Sequence, residues 1–157
     1  MAKKNKPLES QTKLLTQNSW LPRALLYVAW IQATVATFGS LFFSEVLKFP
    51  PCVLCWYQRI AMYPLVLLLA IGIVRKDKGI AWYALPLSII GMVIAGFHNL
   101  LYWKIIPESQ APCIAGVSCT TKFIEWFGFV TIPFLSFLAF MVITLCLWLY
   151  QRMQRSY

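Results

Sequence analysis

Charged side chains are scarce in this 157-residue sequence: 12% of residues are Asp, Glu, Lys or Arg, five are acidic, and one is histidine. An average soluble domain carries roughly 25% charged residues and about 45–50% apolar ones. Here 60% of residues are hydrophobic, so a soluble domain of this length would have too little polar surface to cover itself. The shortage of acid leaves a formal charge of +9, a balance that elsewhere suggests nucleic-acid binding. The basic residues, however, stand in clusters between apolar runs rather than along a recognition face, and this argues against a nucleic-acid partner.

Long apolar runs fill the rest of the chain. They extend from about Ala24 to Phe43, Trp56 to Val74, Ile80 to Leu101 and Trp126 to Tyr150. A helix of roughly 20 residues crosses a hydrocarbon core. Spans of this kind must be helical, because lipid offers no partner to a bare backbone N–H or C=O. The expected fold class is therefore all-α, an integral membrane bundle of four helices, with 1–23 as a basic interfacial segment, 24–150 as the membrane domain and 151–157 as a tail. No repeat or second domain is visible. The first run carries Gln32, Thr34, Thr37 and Ser40, which implies that one of its faces looks at other helices. Ala33 and Ala36 imitate the spacing of a signal-peptide cleavage site, but the cut would fall inside the run, so an uncleaved first span is expected.

Orientation follows from the positive-inside rule. Lys3, Lys4, Lys6, Lys13 and Arg23 precede the first run, Arg75, Lys76 and Lys78 fill the second loop, and Arg152 and Arg155 end the chain. The other loops hold Lys48, Lys104 and Lys122 with Glu45, Glu108 and Glu125 beside them. Both termini and the second loop are thus expected in the cytoplasm. Trp56, Tyr57, Tyr102, Trp103, Trp126 and Phe127 crowd the outer ends, as in an interfacial aromatic belt.

In that topology four of the five cysteines face outward, in two pairs: Cys52 and Cys55 as C-x-x-C, and Cys113 and Cys119 as C-x5-C. Paired thiols in an oxidising compartment are normally disulfides. A C-x-x-C closes so small a loop that it contributes little as a staple, which favours a redox role. A zinc site of four cysteines usually shows two close knuckles. The second pair lacks that spacing, so no metal is expected. Pro50 and Pro51 suit a helix opening, putting Cys52 and Cys55 where the helix dipole favours a thiolate. Arg59, four residues beyond Cys55, shares its helical face, roughly 6 Å further along. It can hold negative charge or snorkel to the headgroups. Cys113 and Cys119 lie in a flexible "ESQAPCIAGVSCTTK" loop, open either to a partner or to a plain structural bridge. Cys146, across the bilayer from the pairs, reads as a packing residue. His98, the sole histidine, is ionisable within a span and so a candidate proton carrier, although packing or headgroup contact is the commoner use. Trp56 and Tyr57 could flank a ring.

"CVLCWYQR", the Cys113 and Cys119 pair, and "WFGFVTIPFL" at the fourth span together resemble the DsbB family of membrane thiol-oxidising proteins, in its Gram-positive BdbC type, over roughly Leu25 to Leu149. The third-loop pair is closer together than in proteobacterial members, and the basic amino-terminal extension and Cys146 match no family motif. The resemblance implies a thiol:quinone oxidoreductase of the bacterial cell membrane. It implies redox disulfides Cys52–Cys55 and Cys113–Cys119, and an extracytoplasmic thioredoxin-like thiol oxidase (DsbA-like) as partner. That partner would attack Cys113, Cys119 would exchange onto Cys52, and Cys55 would pass electrons to quinone, menaquinone more than ubiquinone. Arg59 and His98 would contact the quinone. Two other readings compete. A vitamin K epoxide reductase-like enzyme would carry its C-x-x-C in the fourth helix, and a structural four-span subunit would use its disulfides only for stability.

Overall fold

The structure, a computed structural model, describes residues 20–107 and 131–155. The apolar runs form helices α1 (Trp20–Leu41), α2 (Val53–Arg75), α3 (Ile80–Tyr102) and α4 (Ile132–Arg155), with no strand among the described residues. All four are long and apolar enough to cross a membrane. The fold class is all-helical, as the apolar runs imply.

Helix ends differ from the hydropathy boundaries wherever local backbone chemistry takes over. α1 starts at Trp20, inside the segment expected to be interfacial; Pro22 sits in its first turn, where the missing N–H costs nothing. At its far end the helix widens into a π turn, Phe42–Val46, with the Leu47 N–H bonded to the Phe42 carbonyl at 3.2 Å. Lys48, at φ 54°, then turns the chain. α2 begins at Val53, three residues ahead of the apolar run. It ends with Lys76 in the left-handed region at φ 52°, its N–H returned to the Gly72 and Ile73 carbonyls. α4 carries on through the expected tail to Arg155. Thr131 caps its start, with its Oγ1 accepting from the Phe134 N–H at 3.4 Å.

The helices form a closed ring in chain order: α1 packs on α2, α2 on α3, α3 on α4 and α4 back on α1. Between membrane helices the hydrophobic effect gives no net drive, so close backbone approach matters more. Small residues line the contacts accordingly. Ala29 and Ala33 of α1, Ala84, Ser88, Gly91 and Ala95 of α3, and Ala139 of α4 are all buried. At Gly91 there is no room for a methyl group, because the Phe140 ring of α4 occupies the place a Cβ would take. Thr144 of α4 donates to Ser88 of α3 at 3.1 Å, satisfying hydroxyls that lipid could not. Large apolar side chains such as Val74, Leu67, Val35 and Val93 point outward and stay exposed, as a lipid-facing surface requires.

Two ends of the bundle result. At one, the short loop from Lys76 to Gly79 joins α2 to α3 beside the end of α4. There Arg155 lies over the Trp82 ring at 5.0 Å, and the Tyr150 hydroxyl donates to the Asp77 carbonyl at 3.5 Å. At the other, the end of α1, the start of α2, the end of α3 and the start of α4 converge on one cavity.

Candidate active site: a thiol pair over an interhelical cavity

The site begins with the cap of α2. The prolines were expected inside its first turn; they lie instead just before the helix, and Cys52 is itself the N-cap. Its backbone is extended (φ −71°, ψ 170°), and its sulfur accepts the Cys55 N–H at 3.4 Å. A cap side chain satisfies a donor that the first helical turn leaves orphaned. Here the capping atom is a sulfur, set at the positive end of the helix dipole.

Three groups converge on that sulfur. The Cys55 Sγ is 2.9 Å away, one turn along α2, and both cysteines are free thiols. The His98 Nε2, from the end of α3, lies 3.8 Å away. The Cys55 thiol, donating to it, holds Cys52 well below the ordinary thiol range; burial pushes the other way, and His98 adds a further downward pull. The two sulfurs and the Nε2 lie within 4.8 Å of one another.

α2 stands between α1 and α3 in the ring, and consecutive residues on it reach the two neighbours. Gln58 turns to α3, its Nε2 3.1 Å from the His98 Nδ1. Arg59 turns to α1, donating from Nε to the Ser40 hydroxyl and from a terminal nitrogen to the Ser40 carbonyl, both at 2.9 Å. Gln58 is 7% exposed, Arg59 9% and His98 2%. Arg59 is thus buried and held at two points rather than stretched toward the headgroups, with its guanidinium 5.4 Å over the Trp56 ring.

Cys52, Cys55, Gln58, Arg59 and His98 all line a cavity of about 320 Å³ between the helices, within reach of the range typical of small-molecule pockets. Its buried apolar walls include Met62, Ala139 and Phe140. Thr37 and Tyr63 also contribute to the lining, and their buried hydroxyls have no partner among the described residues. Such orphans are rare in a finished interior. A thiol pair opening onto an apolar cavity, with a cation and an imidazole beside it, can exchange disulfides at its aqueous edge and deliver electrons inward.

The structure brings together Cys52, Cys55, Arg59 and His98 from the sequence-expected site. Cys113 and Cys119 lie outside the described residues. Trp56 and Tyr57 do not flank the cavity; both are about half exposed, on the outer face of α2. Cys146 is buried in α4, away from the cavity lining. Sequence reasoning missed Gln58 and Ser40 as site residues. The signal for Ser40 was present in the polar face of α1, from which Gln32, Thr37 and Ser40 all line the cavity while Thr34 bonds back to the Trp30 carbonyl at 2.8 Å. Gln58 stood inside the quoted motif, between the aromatic pair and the arginine, with nothing in its spacing to single it out.

Fold and site together define a multi-pass membrane dithiol protein of the redox type. The family model described as "Disulfide bond formation protein DsbB" matches residues 22–150. The chain is 52% identical over 122 residues to "Probable disulfide formation protein C 1" of Bacillus anthracis, covering 77% of this chain and 87% of that protein. It is 49% identical over 118 residues to "Disulfide bond formation protein C" of Bacillus subtilis (strain 168), covering 75% and 86%, and 42% identical over 120 residues to "Probable disulfide formation protein" of Oceanobacillus iheyensis, covering 76% and 83%. No solved structure matches. The chain belongs to the DsbB family of disulfide bond formation proteins, and a plain structural subunit is set aside.

Proposed function

We propose that the protein is a thiol:quinone oxidoreductase that reoxidises an extracytoplasmic thioredoxin-like thiol oxidase. The observation that carries the reading is the cavity shared by the Cys52–Cys55 pair and Arg59: there, among the described residues, a sulfur pair meets an apolar, cation-tipped interior. The apolar walls, the arginine and the unpartnered hydroxyls of Thr37 and Tyr63 fit a planar apolar ring bearing oxygens. Bound quinone supplies a lipid-soluble acceptor of two electrons and two protons, and menaquinone is the species proposed.

Both termini are proposed to be cytoplasmic, which sets the cavity end of the bundle outward. The partner's dithiol exchanges with a Cys113–Cys119 disulfide: a partner thiolate attacks Cys113, Cys119 leaves as a thiolate, and the partner's second thiol resolves the bond, so one disulfide is formed and one is reduced. Cys119 then attacks Cys52 of an oxidised Cys52–Cys55 pair. Cys55 leaves as a thiolate, and Cys113 resolves the mixed bond to restore the loop disulfide. The reduced Cys52–Cys55 pair returns to the disulfide as its two electrons pass inward, with two protons, to the acceptor. Arg59, which lines the cavity, would hold a quinone oxygen and oppose the negative charge developing on it. Each exchange proceeds by thiolate attack on a sulfur, and the lowered Cys52 is the readier leaving group when Cys113 resolves the mixed bond.

The test uses purified full-length protein, a reduced DsbA-type oxidase and a soluble naphthoquinone analogue. Partner thiols are expected to disappear in step with quinol formation, and neither change should occur with Cys55→Ser. Partner oxidation that proceeds at full rate without the quinone analogue under anaerobic conditions would overturn the proposal. Among loop variants mixed with the oxidised partner, Cys119→Ser is expected to hold a partner adduct through Cys113, formed as the Cys113 thiolate opens the partner disulfide and kept because the thiol that would displace the partner is gone, and Cys113→Ser to hold none.

A further inference from the structure

The Gln58–His98 contact joins α2 to α3 at the cavity, and its geometry bears on the proton. A neutral imidazole has one N–H and one lone pair. An amide nitrogen has two N–H groups to give and no lone pair to accept with. With the Gln58 Nε2 3.1 Å from the Nδ1, a proton on the Nδ1 would set donor against donor, whether the ring were neutral or charged. The Nδ1 is therefore the acceptor and the ring proton sits on the Nε2, the atom 3.8 Å from the Cys52 Sγ. Both side chains are buried, so water offers little competition for either nitrogen. They reach each other from neighbouring helices, α2 and α3, which makes the tautomer a property of how the bundle packs.

We propose that Gln58 is a positioning residue, whose amide N–H fixes His98 as its Nε2–H tautomer and aims that N–H at the Cys52 sulfur. The inference deepens the reading given under Proposed function, since it assigns a second donor to the Cys52 sulfur beside the Cys55 thiol. A sulfur that takes an N–H from the ring in addition to the Cys55 thiol is the better leaving group at neutral pH. The order of the two cysteines is thereby built into the site. The charged or titratable groups that line the same cavity are Cys55, Arg59 and Tyr63 from α2 and Tyr102 from α3. From α1 and α4 the described lining residues contribute none.

His98 is the only histidine in the sequence, so protein labelled with ¹⁵N-histidine and purified on a tag without histidine gives one unambiguous ring. Full-length reduced protein in nanodiscs, with neither partner nor quinone present, is expected to show the Nδ1 as a lone-pair nitrogen and the Nε2 as an N–H. Gln58→Glu replaces the donor with an acceptor and should convert the Nδ1 to an N–H. In Gln58→Leu, the pH midpoint for alkylation of Cys52 should rise by about one unit, a tenfold loss of thiolate on the acid side, as expected if a hydrogen bond near 1.4 kcal/mol is lost. An Nδ1–H in the parent protein would overturn the proposal without any variant having to fold. So would a Gln58→Glu ring unchanged from the parent, or an unmoved Cys52 midpoint in Gln58→Leu. None of these measurements involves electron transfer, so their failure and a failure of quinone-dependent turnover are distinguishable.

Discussion

Replacing Arg59 by lysine separates anchoring from acceptor binding. The guanidinium is fixed by two bonds of 2.9 Å to one residue, from the Nε to the Ser40 hydroxyl and from a terminal nitrogen to the Ser40 carbonyl. That leaves its remaining N–H groups for the cavity it lines. A lysine ammonium is a single point on a flexible stem. It can satisfy Ser40 or reach the cavity, but it cannot reproduce a planar fork that does both. A hydrogen bond to a charged group contributes roughly 1.5–3 kcal/mol, and every 1.4 kcal/mol is about tenfold in an equilibrium constant. The apparent KM for a soluble naphthoquinone analogue should therefore rise by about one to two orders of magnitude in Arg59→Lys. Thiol exchange between the partner and the protein, followed by single-turnover mixing without quinone, should stay within about twofold of the parent. Charge is retained and the replacement reaches the same Ser40 oxygens, so the detergent melting temperature serves as the control for folding. Quinone kinetics unchanged in both Arg59→Lys and Arg59→Gln would refute the reasoning and leave the arginine as a tie between α1 and α2.

Gly91→Ala should destabilise the bundle by about 1–3 kcal/mol, the usual cost of overpacking, because Phe140 is fully buried where the new methyl must go; denaturant titration in mixed micelles measures it, and an unchanged midpoint would show the α3–α4 contact to be loose. In reduced protein, alkylation of Cys52 should proceed well below the ordinary thiol pKa of about 8.5, since its pKa is lowered first by Cys55; Cys55→Ala, which removes that donor, should move the profile to higher pH. Sign and linkage agree: a depressed pKa means the charged form is favoured in the fold, so the stability it contributes is fully present above the unfolded pKa and is lost as pH falls through the folded one. Cys146→Ala should keep turnover close to the parent rate, because that thiol is buried in α4 away from the cavity, and a loss matching that of Cys55→Ser would give it a redox role. A membrane-impermeant maleimide should label reduced Cys113 and Cys119 in intact cells; labelling only after permeabilisation would invert the proposed topology.

The helices were legible because a membrane span announces itself through composition alone: four runs of apolar residues need no long-range information. Their ends were less so. The start of α1 at Trp20, the π turn after Leu41 and the αL residue at Lys76 depend on backbone hydrogen bonds that hydropathy does not register. Within the site, Cys52, Cys55 and Arg59 were readable from spacing on one helix, since i to i+3 or i+4 fixes a common face. His98 could be named as a candidate but not attached to a sulfur 46 positions away. Ser40 was legible only as part of a polar face on α1, and Gln58 not at all, for the same reason. Their contacts span 19 and 40 positions and arise only once α2 is seated between α1 and α3.

A cap made of sulfur ties the end of α2 to the oxidation state of the pair. As a thiolate, Cys52 places negative charge on the orphaned N–H groups of the first turn; bonded to Cys55, the same atom is neutral and interacts with the helix dipole far more weakly. The fold therefore stabilises the reduced pair more than the oxidised one, and a dithiol favoured in this way has a raised reduction potential, by roughly 30 mV for each tenfold of added stability in a two-electron couple. The pair is thereby made a stronger oxidant by its place at a helix end, and any change that frays the first turn of α2 would lower its potential without touching either cysteine.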